Sequence, residues 1–375
     1  MAVVSEANVF SAETSALVVP ACSGEVLSSE AGIQDLRSSI NRSQLDSDII
    51  WDPAFYLASL TREWVPRVVV VRRGSELAGV VYAKERVHAG HRLGIVYADL
   101  TFGSILLGDP IDHADTVRFA LAALLVYPGI RGIRLRVRRH SPEVAAVRQL
   151  LALTRLDAHF SRVTDHAVLS LPRTYEQLLL GFGSTTRHNF RYYRRRCEAA
   201  GHVYVDNIPL NVLRSAAGDL EAKCSKPIQP GAVDRMIDMA ATAERPLAVG
   251  LRNRNGDWLS IICGVYRPAA GVLLLQLNND RDFGDFSLST VLRGYLIETL
   301  IQQGMNELII WAGTGPPLSR YVKYIPTLAI HLDSPAYLWR LLRLSVSTFG
   351  PWLPKKLVRQ KNLWVSSGSG SLPSE

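Results

Sequence analysis

At 375 residues, 47% of them hydrophobic, the chain is long and apolar enough to bury a large core and to form two domains or two fused halves. Its formal net charge of +8 points to a polyanionic, phosphorylated or membrane-surface partner and carries no information about fold. Cys22, Cys197, Cys224 and Cys263 lie far apart without a CxxC pair, which argues against a metal site or disulfide framework, and the longest apolar run, around Phe119 to Tyr127, is far too short to span a bilayer.

Residues 1–47 are rich in Ser, Ala and Glu with little periodicity, and a flexible N-terminal tail is expected there. No signal peptide is read in the first 20 residues, because they lack a positive n-region; a cytoplasmic protein, with peripheral membrane contact left open, is expected. Trp51-Asp52-Pro53 followed by Ala54 to Leu60 reads as a short helix with proline in its first turn. The β-branched run Arg67 to Arg72, the turn Arg73-Gly74-Ser75 and the segment Leu77 to Ala83 read as a hairpin. Gly94 to Phe102 reads as a third strand, Asp115 to Leu125 as an apolar helix and Gly132 to Val137 as a returning strand. In that last strand Arg134, Arg136 and Arg138 alternate with aliphatic residues.

The same order recurs downstream. Leu247 to Arg252 and Trp258 to Tyr266 flank the turn Asn253 to Gly256, Gly271 to Leu277 is a third strand, Ser287 to Gln303 a long helix, and Asn306 to Trp311 the returning strand. The helix carries Leu288, Val291, Leu292, Leu296 and Leu300 on one side. Gly74 and Gly256 are 182 residues apart, and Ile133 and Leu308 are 175 apart. Two copies of strand–turn–strand–strand–helix–strand indicate an internal duplication, with halves at 48–172 and 173–335. Residues 336–375 differ: Tyr337 to Leu344 is an amphipathic helix candidate, followed by Trp352, Lys355, Lys356, Arg359, Lys361 and Trp364, a mixture suited to docking on its own domain or to a membrane surface.

Between the copies lies Ser184-Thr185-Thr186-Arg187-His188-Asn189-Phe190-Arg191-Tyr192-Tyr193-Arg194-Arg195-Arg196, within a basic helix over 184–200. Ser184, Thr185 or Thr186 can cap its start. Arg187, Arg191 and Arg194 or Arg195 then share one face, which is either a solvated charged face or an anion-binding one.

This stretch is similar to the signature helix of the CelD-like (BioF2-like) acetyltransferase family, which is related to the FemABX peptidyltransferases. The order of strands and helices resembles the GNAT acyltransferase fold. The resemblance spans roughly residues 48 to 325. It implies an α/β (α+β) protein of two fused GNAT-like halves, each a mixed, mostly antiparallel sheet flanked by helices. It also implies acetyl-CoA or another acyl-CoA as co-substrate, with no metal. The donor would wedge between Gly271–Asn278 and Asn306–Trp311, held by Gln276, Asn278, Ser287, Ser289 and Thr290. Asp280, Asp282 and Asp285 are the nearby carboxylates for a general base. Turn-forming and helix-capping roles compete for each of them. Arg187, Arg191, Arg194 and Arg195 would form an anion-binding wall between the halves, with Asn189 and Arg320 as further substrate- or anion-binding residues. Departures from the family pattern are Ser287-Leu288-Ser289 where Ser-Pro-Gly is usual, Ser319-Arg320 where Tyr-Lys is usual, and Leu308 to Trp311 without an acidic residue.

Three readings of function follow. The first is an N-acyltransferase moving an acetyl or related group from acyl-CoA to an amine acceptor, a small molecule or a lipid- or sugar-linked one, in cell-envelope or exopolysaccharide metabolism. The second is a FemABX-like transferase that uses aminoacyl-tRNA, the one reading with a nucleic-acid partner, on a peptidoglycan precursor. The third is a non-catalytic polyanion-binding protein of the same fold.

Overall fold

A computed structural model describes residues 3–5, 22–40, 48–100, 104–106, 113–153, 156–225, 227–311 and 313–333. The amphipathic and basic segment expected over 336–375 lies outside the described residues.

The N-terminal half begins earlier than the sequence suggests. Strands β1 (Val3–Ser5) and β2 (Cys22–Leu27) precede helix α1 (Glu30–Ser39), whose start is capped by Ser29 Oγ accepting from the Gly32 amide at 3.2 Å. The expected tail over 1–47 is therefore ordered across 22–40. Its apolar residues Val26, Ile33, Leu36 and Ile40 are spaced by a composition rich in small polar residues, yet all four are buried against the first half. Helix α2 (Pro53–Ala58) follows with its proline in the first turn and Asp52 as N-cap.

Strands β3 (Trp64–Pro66) and β4 (Val68–Arg73) come next, then β5 (Glu76–Val81) and β6 (Ala83–His88). The segment read as one strand, Leu77 to Ala83, thus divides at Tyr82. β5 pairs with β4, and β6 with the next strand β7 (His91–Asp99), so the two pieces belong to different sheets. β8 (Ser104–Leu106), α3 (His113–Val126), β9 (Gly132–Arg138), α4 (Pro142–Leu153) and the long β10 (Asp157–Ser170) complete this half.

The C-terminal half comprises α5 (Tyr175–Gly181), α6 (Ser184–Ala199), β11 (Val203–Val205), α7 (Leu210–Glu221), α8 (Ala232–Ala241), β12 (Pro246–Arg252), β13 (Trp258–Arg267) and β14 (Ala270–Asn278). After these come α9 (Asp280–Phe283), α10 (Leu288–Gln302), β15 (Glu307–Ile310) and β16 (Lys323–Asp333). The order β1-β2-β4-β5-β8 forms one sheet. The order β11-β12-β13-β14-β15-β10-β16-β9-β7-β6-β3 forms a second sheet running through both halves.

The duplication holds at the level of register. β7 runs parallel to β9 with Ile95 opposite Gly132, and β14 runs parallel to β15 with Ala270 opposite Glu307; both members of the pair are displaced by 175 residues. α3 and α10 start 175 residues apart as well. The halves are joined by exchange. β10, from the first half, pairs with β15, while β16, at the end of the second, pairs with β9, and β10 and β16 pair antiparallel with each other. Asp48 reinforces the joint, accepting from Arg267 Nε at 2.9 Å.

In the C-terminal half the sheet is covered on both faces. Leu273, Leu308 and Ile310 pack with α5, α6 and α10, and the alternating Val272, Leu274 and Ile309 pack with α7 and α8. This is the period-two division of a sheet buried on both sides. The leucine side of α10 behaves as its spacing requires: Leu288, Val291, Leu292, Leu296 and Leu300 are all buried.

Candidate functional site

The parallel ladder between β14 and β15 is short. It runs from Ala270 opposite Glu307 to Leu273 opposite Ile310, and the Trp311 amide closes it by donating to the Leu273 carbonyl at 3.0 Å. Beyond that point β14 continues to Asn278 beside β13 alone. A bulge initiates the separation. Cys263 lies opposite Leu275 and Gly264 opposite Leu273, so Leu274 is the extra residue on β14. Gly264 permits this close approach, because a Cβ there would stand 1.9 Å from the Val272 carbonyl oxygen. The result is a gap between two splayed strands, with one edge of β14 free of ladder partners.

The start of α10 faces the same end of β14. Gln276 Nε2 donates to the Asn278 Oδ1 at 3.3 Å and to the Ser289 carbonyl at 3.5 Å, while Ser260 Oγ donates to Asn278 Oδ1 at 2.7 Å. Of the residues read as donor-binding, the fold thus brings Gln276, Asn278 and Ser289 together. Ser287 and Thr290 stand one step away, their hydroxyls 2.9 Å apart. Ser287 adopts φ 49°, a left-handed conformation that costs a non-glycine residue about 1 kcal/mol. The turn that resembles Ser-Pro-Gly elsewhere is here built on a strained serine. The Thr290 and Val291 amides donate to the Ser287 carbonyl, which leaves those of Leu288 and Ser289 without a backbone acceptor among the described residues, a positive end suited to an anion.

Two residues missed in the sequence complete this mouth. Arg293 Nε donates to Gln276 Oε1 at 2.7 Å and its Nη1 to Thr314 Oγ1 at 2.7 Å, so the guanidinium crosses the gap from β14 to the segment after β15. Burial lowers the Arg293 pKa. Helical spacing offered a clue, since Arg293 falls one turn below Ser289 on the same side of α10.

The predicted aspartates sit at the end of β14. Asp280 accepts from Ser225 Oγ at 3.1 Å, and Asp282 exchanges bonds with Asn279, its amide donating to Asn279 Oδ1 at 3.2 Å. Asp285 contributes its backbone carbonyl to Arg196 Nη1 at 3.0 Å. Asp282 and Asp285 are exposed. Asp282 closes the single turn of α9, and none of the three side chains bonds to Gln276, Asn278 or Ser289.

The arginine helix α6 packs on α10 through Phe190 and Cys197 and does not form a wall between the halves. Most of its charge is matched within the fold. Arg191 pairs with Glu176 at 2.6 Å, and Arg194 with Glu298 at 2.6 Å and Glu198 at 3.1 Å, above the Tyr295 ring at 4.1 Å. Arg195 donates to the Arg191 carbonyl at 3.3 Å. Arg187 and Asn189, both half-buried, make no side-chain hydrogen bond among the described residues. Arg320 is exposed in the one-turn helix Leu318–Arg320.

No hydroxyl of Ser184, Thr185 or Thr186 caps α6. The N-cap is Gly183, whose amide donates to the Tyr321 hydroxyl at 2.9 Å. The Thr186 hydroxyl and then the Gly183 amide hold this phenol below its ordinary pKa. A phenol is therefore present one residue beyond Arg320, where the Ser319-Arg320 pair had suggested its loss.

On the opposite face of the sheet a cavity of about 250 Å³ lies between the halves. Tyr82, at the β5–β6 break, and Lys84, within β6, line it together with Tyr97, Asp99, Arg235 and Trp311. Burial, and then the Arg235 charge, hold the Lys84 ammonium below its ordinary pKa, while Asp99 opposes the shift. Trp311 is thus shared: its amide closes the β14–β15 ladder, the residue lines this cavity, and its ring lies 4.4 Å from that of the buried His166 at a tilt of 42°. The gap and the cavity therefore meet through one residue. Their linkage was invisible in the sequence, because Lys84, Arg235 and Trp311 come from three distant segments. Among the described residues no group of three or more His, Cys, Asp or Glu could hold a metal ion, and no helix is long and apolar enough to cross a membrane.

A scan against protein families finds no match, and neither does a search of curated proteins. Solved structures do share the fold. FemX aligns with a TM-score of 0.52 at 11% identity, over 81% of this chain and 96% of that one. The C-terminal domain of a putative lysylphosphatidylglycerol synthetase from Agrobacterium fabrum aligns with a TM-score of 0.54 at 11% identity, over 85% and 97%. A tandem GNAT protein from the clavulanic acid biosynthesis pathway aligns over 84% of this chain and 99% of that one, with a TM-score of 0.44 at 11% identity. The chain shares the fold of FemX and of that synthetase domain, and its own two halves repeat one strand register.

Proposed function

We propose that the protein is an acyltransferase that binds an acyl-CoA in the gap between β14 and β15 and transfers the acyl group to an amine presented from the cavity on the other face of the sheet. The observation that carries this reading is the separation of β14 from β15 after Leu273, between the positive end of α10 and the cavity behind Trp311. Exposed strand amides suit the amide-rich arm of the thioester, and the α10 amides suit its phosphates. In the reaction the amine nitrogen bonds to the thioester carbonyl carbon, the carbon–sulfur bond breaks and CoA leaves as the thiol. The amine must lose a proton on the way. In this reading Asp99, in the cavity wall, takes it. Asp280, Asp282 and Asp285 frame the mouth of the gap, and Lys84 and Arg235 favour an acceptor with an anionic group. A lipid- or sugar-linked cell-envelope amine meets that description.

A second reading rests on FemX and the lysylphosphatidylglycerol synthetase domain, which share this fold. In it an aminoacyl ester enters the same gap. A thermal-shift titration separates the two. Saturable stabilisation by acetyl-CoA that ATP does not reproduce is the expected result, about 2.7 kcal/mol at a hundred times Kd. No shift at millimolar acetyl-CoA overturns the acyl-CoA reading and favours the aminoacyl ester.

A further inference from the structure

Several partly or fully buried arginines are ion-paired within the fold. Arg67 pairs with Glu85, Arg134 with Asp333, Arg194 with Glu198 and Glu298, and Arg267 with Asp48. Arg293 bonds only to neutral groups among the described residues, Gln276 Oε1 and Thr314 Oγ1, each at 2.7 Å. Burial lowers its pKa, and no carboxylate forms an ion pair with it among the described residues. A guanidinium keeps its charge in such a place, and the cost of holding it there falls when an anion arrives.

The surroundings aim this charge and leave it uncompensated. Ser260 Oγ donates to Asn278 Oδ1 at 2.7 Å, and Gln276 Nε2 donates to the same oxygen at 3.3 Å. That chain turns Gln276 Oε1 toward Arg293. Thr314 supplies the second anchor from beyond β15. The remaining Nη2 group makes no hydrogen bond among the described residues. A fork fixed at Nε and Nη1 across an open gap is preorganised for a ligand inserted into that gap.

We propose that Arg293 is the anion receptor of the β14–β15 gap, taking an oxyanion of the donor, either a phosphate or a carboxylate on its acyl chain. The proposal rests on the reading that a donor occupies the gap, and its test is built so that the two can fail separately. Wild type, Arg293→Met and Arg293→Lys are titrated with inorganic pyrophosphate, acetyl-CoA and succinyl-CoA, following melting temperature and affinity.

For a receptor, Arg293→Met melts no lower than wild type without ligand, because it removes an unmatched buried charge. It also weakens anion binding at least tenfold, and Arg293→Lys, a point charge without the fork, falls between the two. An equal loss for pyrophosphate and both thioesters assigns a phosphate. Loss confined to a preference for succinyl-CoA over acetyl-CoA assigns an acyl carboxylate. Should Arg293→Met not fold, the Arg293→Lys titration decides alone, with weakened binding expected. Unchanged affinity for pyrophosphate and succinyl-CoA in the folded variants overturns the proposal and makes Arg293 a clamp between strands. A wild type that binds none of the three probes also overturns it. A wild type that binds pyrophosphate but not acetyl-CoA, and loses that binding in the variants, sinks the acyl-CoA reading and leaves the assignment of Arg293 standing.

Discussion

The two halves share a 175-residue register yet use it differently. In the first, β7 stays paired with β9 to its last residue, Asp99 opposite Arg136, and the Leu100 amide still donates to the Arg136 carbonyl at 2.7 Å. In the second, β14 leaves β15 after Leu273 and extends to Asn278 without it. The first half breaks elsewhere. The second strand of its hairpin divides at Tyr82, whereas the matching β13 is continuous from Trp258 to Arg267. One copy therefore opens its strand pair to make a gap, and the other opens its hairpin strand to make a cavity wall. A duplicated scaffold can place two complementary openings on either side of one sheet, provided each copy relaxes a different ladder.

Buried arginines provide the sharpest way to break the comparison. Arg67 is 1% exposed and paired with Glu85. Glu85→Ala strands that guanidinium and is expected to cost about 3–5 kcal/mol in chemical denaturation. Arg293→Met in the second half should cost nothing comparable, and similar losses at both sites would erase the distinction between a structural and a receptor arginine.

The equivalent core positions Leu121 and Leu296, both 0% exposed, test whether the copies are matched in packing. Leu→Ala at either is expected to destabilise by about 2–5 kcal/mol. Leu296→Ala should also weaken acetyl-CoA binding, since it loosens the helix that carries Arg293. Leu121→Ala should leave that affinity unchanged.

The smallest effect concerns the seam between the halves. His331 on β16 has its pKa lowered by burial first, then by Arg134 and by His159. Its folded pKa lies below the unfolded value of about 6.5, so below that pH the unfolded chain binds more protons. Stability should fall as pH drops from about 6.5 through the folded pKa. His331→Gln is expected to flatten the melting-temperature profile between pH 7 and 5, and an unchanged slope would remove His331 from the acid sensitivity of the joint.

Local pattern sufficed for much of the fold. The Val68 to Val71 run, the turn glycines Gly74 and Gly256, and the leucine spacing of α10 each depend on near neighbours, and each formed as its periodicity required. The duplication was legible because register copies with the chain. Gln276, Asn278 and Ser289 could be read as companions because a strand end and the following helix start must adjoin. Reading the Arg187 to Arg196 run as a wall between the halves failed for a physical reason: charge spacing along a helix does not reveal that Glu176, Glu198 and Glu298 stand beside it to match that charge.

Tertiary structure alone decided the rest. The tail read over 1–47 contains a strand and a helix across 22–40, because four apolar residues found a partner surface in the first half. The exchange of β10 and β16 between halves, the division at Tyr82 and the meeting of Lys84, Asp99, Arg235 and Trp311 are all contacts between segments far apart in sequence. Such contacts are set by which strand edges and apolar faces remain unpaired once the local elements have formed. The sequence thus determined the elements and their repetition, and packing determined which ladder opened, which charge stayed unmatched and where a ligand could enter.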